Sequence, residues 1–151
     1  MSKLLVVHHT TSPATQELLE AALSGLGIPE LSALQVETRA ALSATSADVL
    51  SSDGCLLLTP ANIGYMSGAM KHFFDQIYYP CLQETRGRPY ALVVHGNNDT
   101  TGAIRGVESI CKGLDWRPAG PALTILGAPT SADQAGVADL AGLLAAAMLG
   151  W

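Results

Sequence analysis

Apolar residues along the chain fall into two alternating patterns. Five short runs have strand length and a β-branched or leucine-rich content: "KLLVVH" (3–8), "ALQVE" (33–37), "GCLLLT" (54–59), "YALVVH" (90–95) and "ALTIL" (122–126). The first, third and fourth are continuous rather than alternating, as expected of strands covered on both faces. Between the runs the spacing changes to that of helices. Residues 14–25 place Leu18, Leu19, Ala22 and Leu23 on one stripe, with Leu26 following. Residues 66–79 place Met66, Met70, Phe73, Phe74 and Ile77 on one side, with Lys71 and Asp75 spaced to pair on a more polar side. Residues 102–115 carry Ile104, Val107, Ile110, Cys111 and Leu114, and residues 132–149 are rich in Ala and Leu. The segment 40–52 is the weakest, with Ser46 the expected cap of a short helix over 47–51.

A βα unit repeated five times predicts an α/β protein with helices on both faces of a parallel sheet. Five strands of this length predict three layers, doubly wound, with strand order 2-1-3-4-5. The dinucleotide-binding order usually needs a sixth strand. The 151 residues are the length of a single domain, expected over 1–151. In such a sheet, ligands sit beyond the carboxyl ends of the strands where the order reverses. Three loops leave those ends: "HHTTSPATQ" (8–16), "TPANIGYMSG" (59–68) and "HGNNDTTG" (95–102). The turns after the second and fifth strands are also small and polar, so loop polarity alone discriminates poorly.

Composition narrows the function. The chain is 48% hydrophobic, 14% charged and carries a formal net charge of -5. Its eight basic residues are scattered, which argues against nucleic-acid and membrane-surface partners. Cys55, Cys81 and Cys111 show no metal or CxxC spacing and fit a reducing, cytoplasmic setting. Four apolar residues between Lys3 and the histidine pair do not read as a signal peptide. The apolar tail "LAGLLAAAML" reads as too short to span a bilayer.

In the first loop, Ser12 before Pro13 reads as an N-cap followed by proline at the first helical position. A helix start also favours anions, and Thr10, Thr11, Ser12 and Thr15 add hydroxyls. The loop alone supports a cap and a phosphate cradle equally.

Thr10, Thr11, Ser12, Pro13, Ala14 and Thr15, directly after the first strand, resemble the FMN phosphate loop of flavodoxins, with Pro13 where that family usually has glycine. Proline offers no N–H to a phosphate. The stretch "LLLTPANIGYMSGAMKHFFDQ" (56–76) resembles one shared by NAD(P)H-dependent FMN reductases and quinone reductases of the flavodoxin superfamily. The resemblance implies a flavodoxin-like fold binding FMN non-covalently. It implies that Thr10, Thr11, Ser12, Ala14 and Thr15 face the phosphate. Thr59, Pro60, Ala61, Asn62, Ile63, Gly64, Tyr65 and Met66 would be flavin neighbours, joined by His95, Gly96 and Asn97 from the third loop. Lys71, Phe74 and Asp75 match positions with a structural part. The implied activity is hydride transfer from NAD(P)H to FMN and on to a quinone or other small acceptor. The alternative is an electron-transfer flavodoxin serving a redox partner protein. No catalytic side chain is implied.

Gly64 and Gly96 suit close backbone approach. Tyr65 is the sole aromatic candidate to stack on a flavin in these loops, and an uncovered ring face suits an enzyme. His8, His9 and His95 do not read as a metal site, because the third strand should lie between them and no acid or thiol joins them. A phosphoacceptor domain would need a carboxylate cluster where His8, His9, Thr59 and Pro60 stand. A Rossmann domain would need G-x-G-x-x-G, and "HTTSPA" has no glycine. Finally, Met66, Met70, Phe73, Phe74, Tyr78 and Tyr79 amount to more apolar surface than one sheet face covers, which predicts a homodimer.

Overall fold

A computed structural model describes residues 1–151. The order is β1 (Lys3–His8), α1 (Pro13–Leu26), a 3-10 turn (Pro29–Leu31), β2 (Gln35–Ala40), α2 (Ser46–Leu50), β3 (Gly54–Asn62) and β4 (Tyr65–Met66). It continues with α3 (Gly68–Cys81), β5 (Pro89–Gly96), α4 (Thr101–Gly113), β6 (Arg117–Pro118), β7 (Leu123–Leu126) and α5 (Ser131–Leu149).

The five long strands lie parallel in the order β2-β1-β3-β5-β7, which is the expected 2-1-3-4-5. The sheet has seven strands rather than five. Two-residue β6 also lies on β5, and two-residue β4 folds back antiparallel on β3. Neither is long enough to leave a period in the sequence.

Continuous apolar strands are explained by cover on both faces. Leu4, Val6, Leu56, Leu58, Ala91 and Val93 meet Leu18, Ala22, Val137, Leu140 and Leu144 of α1 and α5. Leu5, Val7, Leu57, Leu92 and Val94 face the other way, against Met70, Phe73, Phe74 and Ile77 of α3 and Val107 of α4. Burying each such side chain contributes about 1.5–3 kcal/mol.

Several boundaries differ from expectation. β2 is shifted to 35–40, because an edge strand half exposed along its length needs no apolar run. Strand β3 runs past the expected end at Thr59, through Pro60, which pairs with His95, to Asn62. Met66 belongs to β4, and Ser67 caps α3 by accepting the Met70 N–H at 3.2 Å. Thr45, not Ser46, caps α2, accepting from Asp48 N while Asp48 accepts from Thr45 N. Lys71 and Asp75 pair at 2.7 Å as expected.

The surplus apolar surface expected on α3 is absorbed within the chain. Met66, Met70, Phe73 and Phe74 are buried, and Tyr79 alone among the large side chains of this group stands mostly exposed. Helix α5 is longer than the apolar tail suggested: its 19 residues are long and apolar enough to cross a membrane. Here its Val137, Leu140, Ala141, Leu144 and Ala145 are core residues.

Candidate functional site

At the point where strand order reverses, the loops after β1, β3, β5 and β7 enclose a cleft of about 500 Å³. Its walls are Thr11–Ala14 and Glu17, Pro60–Asn62, His95–Asn97, and Gly127–Pro129.

The first wall is the start of α1. Pro13 stands at the first helical position and Ser12 is the N-cap, as its sequence predicts. Ser12 Oγ accepts the Thr15 N–H at 3.2 Å. Thr15 Oγ1 reaches back and accepts the N–H groups of Thr11 and Ser12, each at 3.1 Å. Its own proton goes toward Ser12 O at 3.0 Å or Ser12 Oγ at 3.1 Å. This is a reciprocal capping box with threonine in the third helical position. Thr15 is fully buried in it. Thr10 Oγ1 bonds His8 Nδ1 at 3.2 Å. Burial, and next the neighbouring His9, hold the His8 imidazole below its usual value.

The second wall is a hairpin. β3 extends to Asn62, the chain reverses over Ile63 and Gly64, and β4 pairs Tyr65 with Asn62 and Met66 with Ala61. Ile63 and Gly64 have φ of 50° and 75°. Two-residue turns with both φ positive match the twist of a hairpin and favour Asn-Gly. A β-branched residue at such a φ is strained, and Ile63 is also fully exposed. Behind the hairpin, Thr59 Oγ1 accepts the Ser67 N–H at 3.1 Å and donates to Pro60 O at 2.9 Å or Ser67 Oγ at 3.2 Å. Thr59 and Ser67 are fully buried, so this pair braces the strand end to the start of α3.

The hairpin is seated on α4 through two glycines one turn apart. A Cβ at Gly102 would lie 1.8 Å from Gly64 O, and one at Gly106 would lie 2.5 Å from the Tyr65 ring. Tyr65 therefore packs toward α4 and does not line the cleft.

The third wall is the end of β5. His95 is buried, and its Nε2–H donates to Gly127 O at 2.7 Å, a carbonyl that can only accept. This bond ties the β5 loop to the β7 loop. Gly96 packs near Ala61, 3.5 Å from the position a Cβ would take. Asp99 Oδ1 accepts the Thr101 N–H at 2.9 Å at the start of α4, and bonds from Thr101 hold its carboxyl below the usual value.

The site residues expected from sequence thus divide. Thr11, Ser12, Ala14, Pro60, Ala61, Asn62, His95, Gly96 and Asn97 come together around the cleft. Ile63 and Gly64 line a smaller depression of about 330 Å³ beside it, with Asn98 and Asp99. Thr10 is bonded to His8, Thr15 and Thr59 are internal braces, and Met66 is core. Glu17 and Gly127–Pro129 were not among the expected residues. Glu17 lies one turn into α1, and the strand order itself puts the fifth strand's loop beside the fourth's. The thiols of Cys55, Cys81 and Cys111 are buried, and burial raises each above its usual value.

No protein-family model matches the chain. Over 88 residues it is 35% identical to a flavodoxin of Aquifex aeolicus, a stretch that is 58% of this chain and 46% of that protein. The chain thus spans under half the length of the curated relative it matches. Among solved structures, a flavodoxin from the domain Archaea superposes with a TM-score of 0.84 at 18% identity, over 97% of this chain and 99% of that one. A WrbA-like flavodoxin from Agrobacterium tumefaciens superposes with a TM-score of 0.79 at 13% identity, over 99% of each. Its strand order and these superpositions give the chain a flavodoxin-like fold, and over the 88 matched residues its sequence is similar to that of a flavodoxin.

Proposed function

We propose that the chain binds FMN non-covalently in this cleft and carries electrons through it to a redox partner, as an electron-transfer flavodoxin. The cleft is the observation that carries the reading: about 500 Å³ at the reversal of strand order, within the range of small-molecule and cofactor sites. Its ring end fits an isoalloxazine. Pro60, Ala61, Asn62, Gly96 and Asn97 offer peptide groups and two side-chain amides that both donate and accept. A bound flavin supplies the redox chemistry, and the protein supplies position and electrostatics. The Thr59–Ser67 brace and the glycine seat on α4 fix one wall, and His95 fixes the β5 and β7 loops to each other. No side chain here needs to act as nucleophile or base.

A second reading is an NAD(P)H-dependent flavin oxidoreductase acting on a quinone or other small acceptor. The placement of Tyr65 favours it. With that ring packed on Gly106, no Phe, Tyr or Trp lines the cleft, which leaves a face for a nicotinamide or quinone.

Anaerobic reduction of the FMN-loaded protein separates the two. Carrier function predicts that NADH and NADPH leave the visible flavin absorbance unchanged until a partner reductase is added. Direct bleaching within seconds refutes the carrier and selects the enzyme.

A further inference from the structure

The two ends of the cleft differ in what they offer a ligand. At the α1 end, a phosphate would be held by backbone N–H groups of the first helical turn. The chain's own oxygens hold them instead. The N–H groups of Thr11 and Ser12 go to Thr15 Oγ1, that of Thr15 to Ser12 Oγ, and that of Gln16 to Ser12 O at 3.0 Å. Pro13 has none. Among positions 11–16 this leaves the Ala14 N–H. Thr15 is fully buried, so its hydroxyl cannot turn outward without breaking the capping box.

Charge points the same way. Glu17 lines the cleft together with Ser12, Pro13 and Ala14, and no Lys or Arg lines it. A phosphate monoester carries about -1.5 to -2 at neutral pH, and a carboxylate on the same wall repels it. His8, bonded to the loop through Thr10, has its pKa lowered by burial and next by His9, which disfavours a cation there.

Taking the flavin reading above as premise, we propose that this site holds a flavin by its ring and ribityl chain and gains little from the 5′-phosphate. Pro13, Glu17 and the Ser12–Thr15 capping box set that preference. Phosphate-free riboflavin is then accepted nearly as well as FMN.

Parallel fluorescence-quenching titrations with riboflavin and with FMN, in buffer free of inorganic phosphate, test this on the intact chain. The expected dissociation constants agree within about tenfold, about 1.4 kcal/mol. A larger preference for FMN overturns the inference and leaves the flavin reading standing. Quenching of neither ligand overturns both. In a Pro13→Gly, Glu17→Gln double variant, the ratio of the two constants is expected to shift toward FMN by about tenfold. An unchanged ratio in folded variant overturns the assignment of the preference to these residues.

Discussion

Replacing Gly102 with alanine tests whether the hairpin that walls the cleft is held by its seat on α4. The new Cβ would stand 1.8 Å from Gly64 O. Carbon–oxygen contacts begin at about 3.3 Å, so about 1.5 Å must be regained. Helix α4 cannot easily supply it. Ala103 and Val107 are fully buried, and Thr100 Oγ1 bonds Thr124 Oγ1 at 3.0 Å. The Ile63–Gly64 turn, exposed and held by a two-residue ladder, gives way instead. Overpacking of this kind costs about 1–3 kcal/mol. Alanine over glycine in a helix returns about 0.5–1 kcal/mol, which leaves a net loss of up to about 2.5 kcal/mol. Because Ala61 and Asn62 belong to the displaced hairpin, flavin affinity should also fall, by about tenfold. Urea unfolding read by the fluorescence of buried Trp116, with an FMN titration beside it, measures both. Gly142→Ala is the control. It lies in α5 with nothing within 4 Å of its built Cβ and should be neutral or more stable. A Gly102→Ala protein as stable as wild type, with unchanged FMN affinity, would refute the seat.

Ile63→Asn should stabilise the fold by about 1 kcal/mol, since asparagine tolerates positive φ and the fully exposed isoleucine gives up no packing; a lower urea midpoint would contradict the assigned strain. The lowered His8 value predicts a pH effect of definite sign. The unfolded chain binds the proton first as pH falls below about 6.5, so stability contributed by neutral His8 is present above that pH and lost below it, down through the folded value. Urea midpoints at several pH values should fall across that window in wild type and less in His8→Gln; identical slopes would exclude His8. With all three cysteines buried and their thiols shifted upward, a thiol reagent should label none in the native protein and three in urea. Rapid native labelling would show that the core around them opens.

Much of the architecture was legible because buried parallel strands write themselves as uninterrupted apolar runs. β1, β3 and β5 did so, and their order placed the site. β2 is an edge strand, and its mixed residues "QVETRA" carry no such mark. The start of α3 misled for a specific reason: Met66 fits the helical stripe, yet it pairs with Ala61 across a hairpin. The hydroxyls of Thr15 and Thr59 in polar loops look like ligand donors. Their direction depends on backbone geometry that sequence does not state, and both turn inward. Glu17 reads as ordinary helix surface until the cleft is closed around it.

The capping box at Ser12 and Thr15 also bears on the order of assembly. A helix start that satisfies all but one of its own donors needs no ligand to form. The chain can therefore reach its finished shape before any cofactor arrives, and releasing one leaves no frayed end behind. A cofactor bound in the cleft would then enter the way a bulb enters a socket, with loading set by supply in the surroundings rather than by the folding of the chain.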